Sequence, residues 1–221
     1  MTPKHTFLKY AVLCIALFLS TEFLKYILKF EVLIYNSLSE HLTSKQIKNF
    51  FEMQNQWKWV GYVFTPVFIL LKTILVASVL YIGTFFYSKV KVTFKQLWDV
   101  VVKAEFLFLL VGVCKIIWSY FFQTTYTLED LQYFYPLSAL NIIGYKGLEP
   151  WFIYPLQTLN VFEVVYWFIL AYYISRLASP TKNVSDYKPD LDFGIKIVMA
   201  SYGSALLLWV VVVMFFTLNY S

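Results

Sequence analysis

Charge is what this chain has least of, along with the chemistry that charge carries. Asp, Glu, Lys and Arg make up 14% of the 221 residues, while 60% are apolar or aromatic. A soluble domain of this size needs more charge to cover its surface. The two histidines, His5 and His41, are too few and too isolated for a metal site. The two cysteines, Cys14 and Cys114, both lie inside apolar runs, as small core residues do, rather than disulfide partners or ligands. Arg176 is the single arginine beside seventeen lysines, which argues against a nucleic-acid interface built on bidentate phosphate contacts. There is no glycine-rich phosphate loop, dinucleotide fingerprint, His-Glu-x-x-His spacing or Gly-x-Ser-x-Gly elbow. Every Asp falls in a loop or at the end of an apolar run, so no intramembrane aspartate pair exists. The expectation is a non-enzymatic protein, with no catalytic residue, no metal, no cofactor and no nucleic-acid partner.

What the chain has in abundance is long apolar runs. A bilayer core about 30 Å thick is crossed by a helix of roughly 20 residues, and runs of that length recur. The expected fold is all-α and integral to the membrane, a single bundle of five spans over about 6–23, 59–87, 104–122, 152–174 and 193–218. Lys4 and Lys9 precede the first run as in a signal peptide. Phe18 stands where a cleavage site requires a small residue, so an uncleaved span is expected. Pro66 lies within the second span, where a missing amide favours a kink. Pro155 falls in the first turn of the fourth, where proline is tolerated.

Two interfacial amphipathic helices are expected beside the spans. One covers Thr43 to Trp57, opened by Thr43 and Gln46 at capping-box spacing, with Ile47, Phe50 and Phe51 along one face. The other begins at Thr93, with Gln96 completing a second box. Phe94, Leu97, Trp98, Val101 and Val102 share one of its faces, and Lys95, Asp99 and Lys103 follow at i, i+4 on the other. Between Gln123 and Trp151, a helix start at Thr127-Leu128-Glu129-Asp130 and the punctuation of Pro136, Gly144, Gly147 and Pro150 predict one short helix and a re-entrant or surface stretch.

Orientation follows from the lysines. With the N-terminus in the cytoplasm, cytoplasmic segments hold Lys4, Lys9, Lys89, Lys91, Lys95, Lys103, Arg176, Lys182 and Lys188. The opposite side holds Lys25, Lys29, Lys45, Lys48, Lys58 and Lys146. That bias favours a cytoplasmic N-terminus and a C-terminus on the opposite side. A bacterial inner membrane suits the lysine bias and small size.

Three charges fall deep in the spans: Lys72, Lys115 and Glu163. An unpaired charge there costs at least about 2.5–3.5 kcal/mol, so such groups seek partners. Pairing of Glu163 with Lys115 or Lys72 is expected, which leaves one lysine for a cavity, a lipid phosphate, a helix C-terminus or a partner's carboxylate. Gln157, Thr158 and Asn160 mark the outer half of the fourth span as protein-facing. Ser201 and Gly203, in the small-residue patch Ala200 to Ala205, do the same for the fifth. Interhelical contacts are the expected role of Gln157, Asn160, Ser201 and Gly203.

One resemblance covers Thr93 to Ile174. Thr93-Phe94-Lys95-Gln96-Leu97 leads into a span, and Tyr135-Pro136-Leu137-Ser138 lies in the loop after it. Then Leu156-Gln157-Thr158-Leu159-Asn160-Val161-Phe162-Glu163 runs into Val164-Val165-Tyr166-Trp167. Together these segments resemble the membrane domain of the Ypt-interacting-protein (YIP) family. The resemblance implies five spans, a cytoplasmic N-terminus and a non-catalytic role through association with other membrane components. The first 60 residues depart from that family's more polar N-terminal region. The expected function is a scaffold or accessory subunit of a larger membrane complex, with membrane lipids and other membrane subunits as partners. The alternative is a small transporter or channel lined by Lys72, Lys115 and Glu163.

Overall fold

The chain folds as helix after helix in a computed structural model, which describes residues 3–86, 92–123, 125–178 and 191–220. Helix α1 (Pro3–Ile27) ends where Lys29 turns into the left-handed region, and α2 (Phe30–Ser39) follows. Helix α3 (Ser44–Phe86) runs 43 residues without a break, about 64 Å at 1.5 Å per residue, twice the depth of a bilayer core. Helix α4 (Phe94–Glu105) passes through a 3-10 turn (Phe106–Phe108) into α5 (Leu109–Phe121). Two short helices, α6 (Leu128–Tyr133) and α7 (Ala139–Ile143), lead to α8 (Pro150–Thr158) and α9 (Val161–Ala178). Helix α10 (Leu191–Val198) joins α11 (Ser204–Tyr220) through a π-helical turn at Met199–Gly203. Three stretches are long and apolar enough to cross a membrane: His5–Ile27, Ser44–Phe86 and Leu191–Tyr220. They contain the expected first and fifth spans, and the second up to Phe86.

The contacts fix how these rods lie. Thr6 meets Asp99, and Gly112 faces Ser20, so α1 runs alongside α4 and α5 in the same direction. Tyr10 donates to the carbonyl of Pro66, and Phe18 packs edge-on against Tyr62, so α3 runs back past α1. Gly194 abuts Ala171, Tyr202 reaches Glu163 and Trp209 reaches Tyr154, which sets α10 and α11 antiparallel to α9 and α8. The largest core cluster sits among α3, α4, α9 and α10. Ala77, Leu80, Leu97, Val101, Ala104, Tyr166, Leu170, Ala171, Ile174 and Ile197 are all fully buried in it. The outward faces stay apolar, as in Phe68, Phe85, Leu208 and Phe215. That pattern suits a lipid surround and would be a liability in water.

Several expectations change. The Thr43–Trp57 segment is not a separate surface helix but the first four turns of α3, opened by the Thr43–Gln46 pair. The Thr93–Gln96 capping box forms as the spacing predicts. The helix it starts does not lie on the bundle surface, however. Helices α1, α3 and α9 enclose α4, and Asp99 on its polar face is nearly as buried as Val101 on its apolar one. The third rod therefore begins at Phe94 rather than at Ala104. The fourth is interrupted: it starts at Pro150, carries Pro155 inside α8, and breaks at Leu159–Asn160. The Gln123–Trp151 segment supplies two short helices instead of one. Lys89, Lys91, Lys182 and Lys188 lie outside the described residues.

Candidate functional site

The deep charges organise the interior, but with a different pairing from the expected one. Lys72 on α3 does not meet Glu163. Its Nζ lies 2.9 Å from Oε2 of Glu105, at the junction of α4 with the 3-10 turn. Lys72 also sits over the ring of Phe108, 4.4 Å from its centroid. Its side chain is 50% exposed while that of Glu105 is 5% exposed, so the lysine reaches inward from the bundle surface. The other oxygen of Glu105 accepts from the hydroxyl of Tyr166 on α9 at 3.0 Å. The fully buried ring of Tyr166 packs edge-on against that of Tyr202, with centroids 5.6 Å apart.

Tyr202 carries the network to the second carboxylate. Its hydroxyl donates to Oε1 of Glu163 at 2.6 Å, and the indole N–H of Trp167, one turn along, donates to the same oxygen at 3.0 Å. Among the described residues Glu163 has no cation within 4.0 Å; neutral donors hold it. A chain of side chains thus links four elements, from Lys72 through Glu105, Tyr166 and Tyr202 to Glu163 and Trp167. Lys115 stays outside it. Half-buried on α5, it faces the ring of Tyr135, 6.0 Å from the centroid, with no carboxylate in reach among the described residues.

The polar outer half of the fourth rod turns out to serve its break. Asn160 donates to the carbonyls of Gln157 and Thr158, and its Oδ1 accepts from the amide of Glu163 at 2.8 Å, capping α9. The turn at Leu137–Ala139 lies against the break, with Ser138 bridging to Asn160. The amide of Ala139 donates to Leu159, and that of Val161 donates to Leu137. These bonds satisfy backbone groups that the interruption leaves without a partner inside either helix. Gln157 alone reaches another element by hydrogen bond, donating to the carbonyl of Tyr133.

Ser201 and Gly203 make crossings by size rather than polarity. The Ser201 hydroxyl bonds within its own helix to Ile197, while its Cβ lies against Gly83 of α3. Gly203 faces the indole of Trp167. With a span expected from residue 104, Glu105 falls in its first turn and nothing connects it to Lys72; the helix that carries Glu105 in fact begins at Phe94. Had the rod been taken from Phe94, Glu105 would have stood near its middle as an obvious partner. Asp99 pairs with Lys103 at the i, i+4 spacing noted in the sequence, but its contacts to Thr6 and Lys9 come from α1, and no spacing within α4 announces them. Its Oδ1 accepts from Thr6 at 3.0 Å and Lys9 at 2.6 Å, and its Oδ2 accepts from Lys103 at 2.6 Å.

Compared with protein-family models, curated proteins and solved structures, the chain matches none.

Proposed function

We propose that this chain is a five-pass, non-catalytic membrane protein that acts as a scaffold or accessory subunit of a larger membrane complex. Two more passes come from the α4–α5 rod and the broken α8–α9 rod, which lie parallel and antiparallel to the three long apolar stretches. The observation that carries the subunit role is Lys115. A lysine on a membrane helix with no carboxylate of its own, packed against an aromatic ring, needs a partner's acid or a lipid phosphate to offset its desolvation. The remaining deep polar groups are closed within the chain. Among the described residues every buried side-chain nitrogen and oxygen has a hydrogen-bond partner. A finished network of this kind suits a rigid scaffold better than a transport path, whose sites must exchange partners. The resemblance of Thr93–Ile174 to the YIP family, which works by association, points the same way.

A photo-crosslinking side chain at position 115, in full-length protein extracted with mild detergent, tests this. One membrane protein should be captured in near-stoichiometric yield, and Lys115→Met should weaken its co-purification. The contrary result is a chain that purifies alone, with water-soluble thiol reagents reaching cysteines placed at 72, 115 and 163. That outcome would favour the transporter.

A further inference from the structure

At the end of the bundle where α1 and α4 begin and α9 ends, a cleft of about 480 Å³ opens between the three helices. Its volume lies within the range of roughly 300–1,000 Å³ that small ligands occupy. Lys95, Lys103 and Arg176 line it, with Thr6, Asp99 and Tyr173. Asp99 is the one carboxylate among the lining residues, and both its oxygens are taken. Thr6 and Lys9 hold Oδ1, and Lys103 holds Oδ2. Four cations (Lys9, Lys95, Lys103 and Arg176) therefore stand against a single acid. Lys95 and Arg176 are exposed, with no carboxylate within 4.0 Å among the described residues. The Thr93–Gln96 box occupies the amides of Thr93 and Gln96. Those of Phe94 and Lys95 have no acceptor inside the helix, and the positive end of the helix dipole adds to the field.

The cleft also borders an apolar surround. Phe7 and Tyr172, each next in sequence to a lining residue, are 63% and 44% exposed. The other large cleft, about 630 Å³ between α1, α2 and α3, differs in charge. Lys25, Lys29 and Lys58 there are nearly balanced by Glu22 and Glu31. Of these two clefts the first has the larger excess of positive charge, set beside an apolar rim, the combination that suits an anionic headgroup between helices.

We infer that this cleft binds a phosphate ester, held by Lys95, Lys103 and Arg176. The headgroup of an anionic phospholipid, its chains lying along α1 and α9, is one source of that phosphate, and a soluble phosphate is the other. Native mass spectrometry of the full-length protein, titrated separately with phosphatidylglycerol, phosphatidylcholine and inorganic phosphate, tests the site. Phosphatidylglycerol should be retained about tenfold more strongly than phosphatidylcholine. Lys95→Gln with Arg176→Gln should lower that retention roughly 10- to 30-fold. Both side chains are exposed and outside the Asp99 ion pairs, so the melting temperature should hold. The same charge change at the far end, Lys45→Gln with Lys48→Gln, should leave retention intact. Inorganic phosphate binding that the first pair of substitutions abolishes, without a lipid preference, would keep the phosphate chemistry and assign it to a soluble source. Equal retention of both lipids without phosphate binding overturns the site. So does a phosphatidylglycerol preference that survives Lys95→Gln with Arg176→Gln.

Discussion

Glu105 sits where α3, α4 and α9 meet, with one oxygen on Lys72 and the other on Tyr166. Removing its charge leaves Lys72 at bilayer depth without an anion. Hydrogen bonds to charged groups contribute about 1.5–3 kcal/mol, and the half-exposed lysine argues for the low end of that range. Glu105→Gln should therefore destabilise the protein by about 1–2 kcal/mol in detergent thermal unfolding. Adding Lys72→Met should cost less than the sum of the two changes, because the two residues share one interaction. Glu163→Gln should leave the reactivity of both lysines unaltered, since Tyr202 and Trp167 are its partners. Strict additivity, or a shift in Lys115 reactivity on Glu163→Gln, would contradict this pairing.

Asp130 and Tyr145 form a second residue-level unit, outside the spans. The Thr127 amide and hydroxyl and the Tyr145 hydroxyl donate to Asp130, and the amide bond first among them holds its carboxyl below the ordinary value. Burial, then Asp130 itself, pushes the Tyr145 phenol up to about 12. A depressed folded carboxyl contributes fully above its unfolded pKa, about 3.9, and loses that contribution as pH falls through the folded value. A raised phenol contributes fully below its unfolded value, about 10, and loses that contribution as pH rises through the folded one. Hydrogen exchange of the α6 amides should accordingly show most protection between those limits. Asp130→Asn should remove the acid-side loss and cost about 1 kcal/mol of local stability through the weakened cap. Protection that falls in acid equally in both proteins would contradict that role.

At the scale of elements, close crossings hold the rods. A Cβ built on Gly83 would lie 2.5 Å from that of Ser201, and one on Gly194 would lie 2.1 Å from the carbonyl of Ala171. Neither neighbour is the end of a flexible chain, so the helices must part to admit a methyl. Gly83→Ala gains about 1 kcal/mol of helix propensity but overpacks the crossing at about 1–3 kcal/mol. Net destabilisation is expected, read as a lowered melting temperature. Ser201→Gly in the same chain should recover about 1 kcal/mol by removing the opposing methylene. A Gly83→Ala protein as stable as the wild type would mean that α3 and the π-helical turn are not in contact there.

The elements also show what a sequence can reveal. Local signals were legible: the apolar runs of α1, α3 and α11, and the capping pairs at Thr43, Thr93 and Thr127, depend on residues within one helix. Long-range partners were not. The polar face of α4 looked like a face for water because Thr6 and Lys9, which meet Asp99, are ninety-odd residues away. The break at Asn160 was not legible because Gln157, Thr158 and Asn160 read as interhelical contacts, and the bridge that stabilises it comes from Leu137–Ala139. Glu163 was singled out as a deep charge, yet its neutral partners, Tyr202 and Trp167, carry no sign that pairing by charge could find.

For the whole molecule, the rods alternate in direction. α1 runs away from the Lys9–Asp99 end, α3 returns, the α4–α5 rod leaves, the α8–α9 rod returns, and α10–α11 leaves again. The five passes proposed here would put Ser39, Gly147 and the end of α11 at one membrane face, and Thr93 and the start of α1 at the other. The most direct test is site-specific labelling in sealed vesicles with a thiol reagent that cannot cross the bilayer. Single cysteines would be placed at Ser39, Thr93, Gly147 and Tyr220, with Cys14 and Cys114 replaced. The five-pass arrangement requires Ser39, Gly147 and Tyr220 to label together from one side, and Thr93 only from the other. If Ser39 and Gly147 label from opposite faces, or Thr93 labels together with Tyr220, the arrangement is wrong.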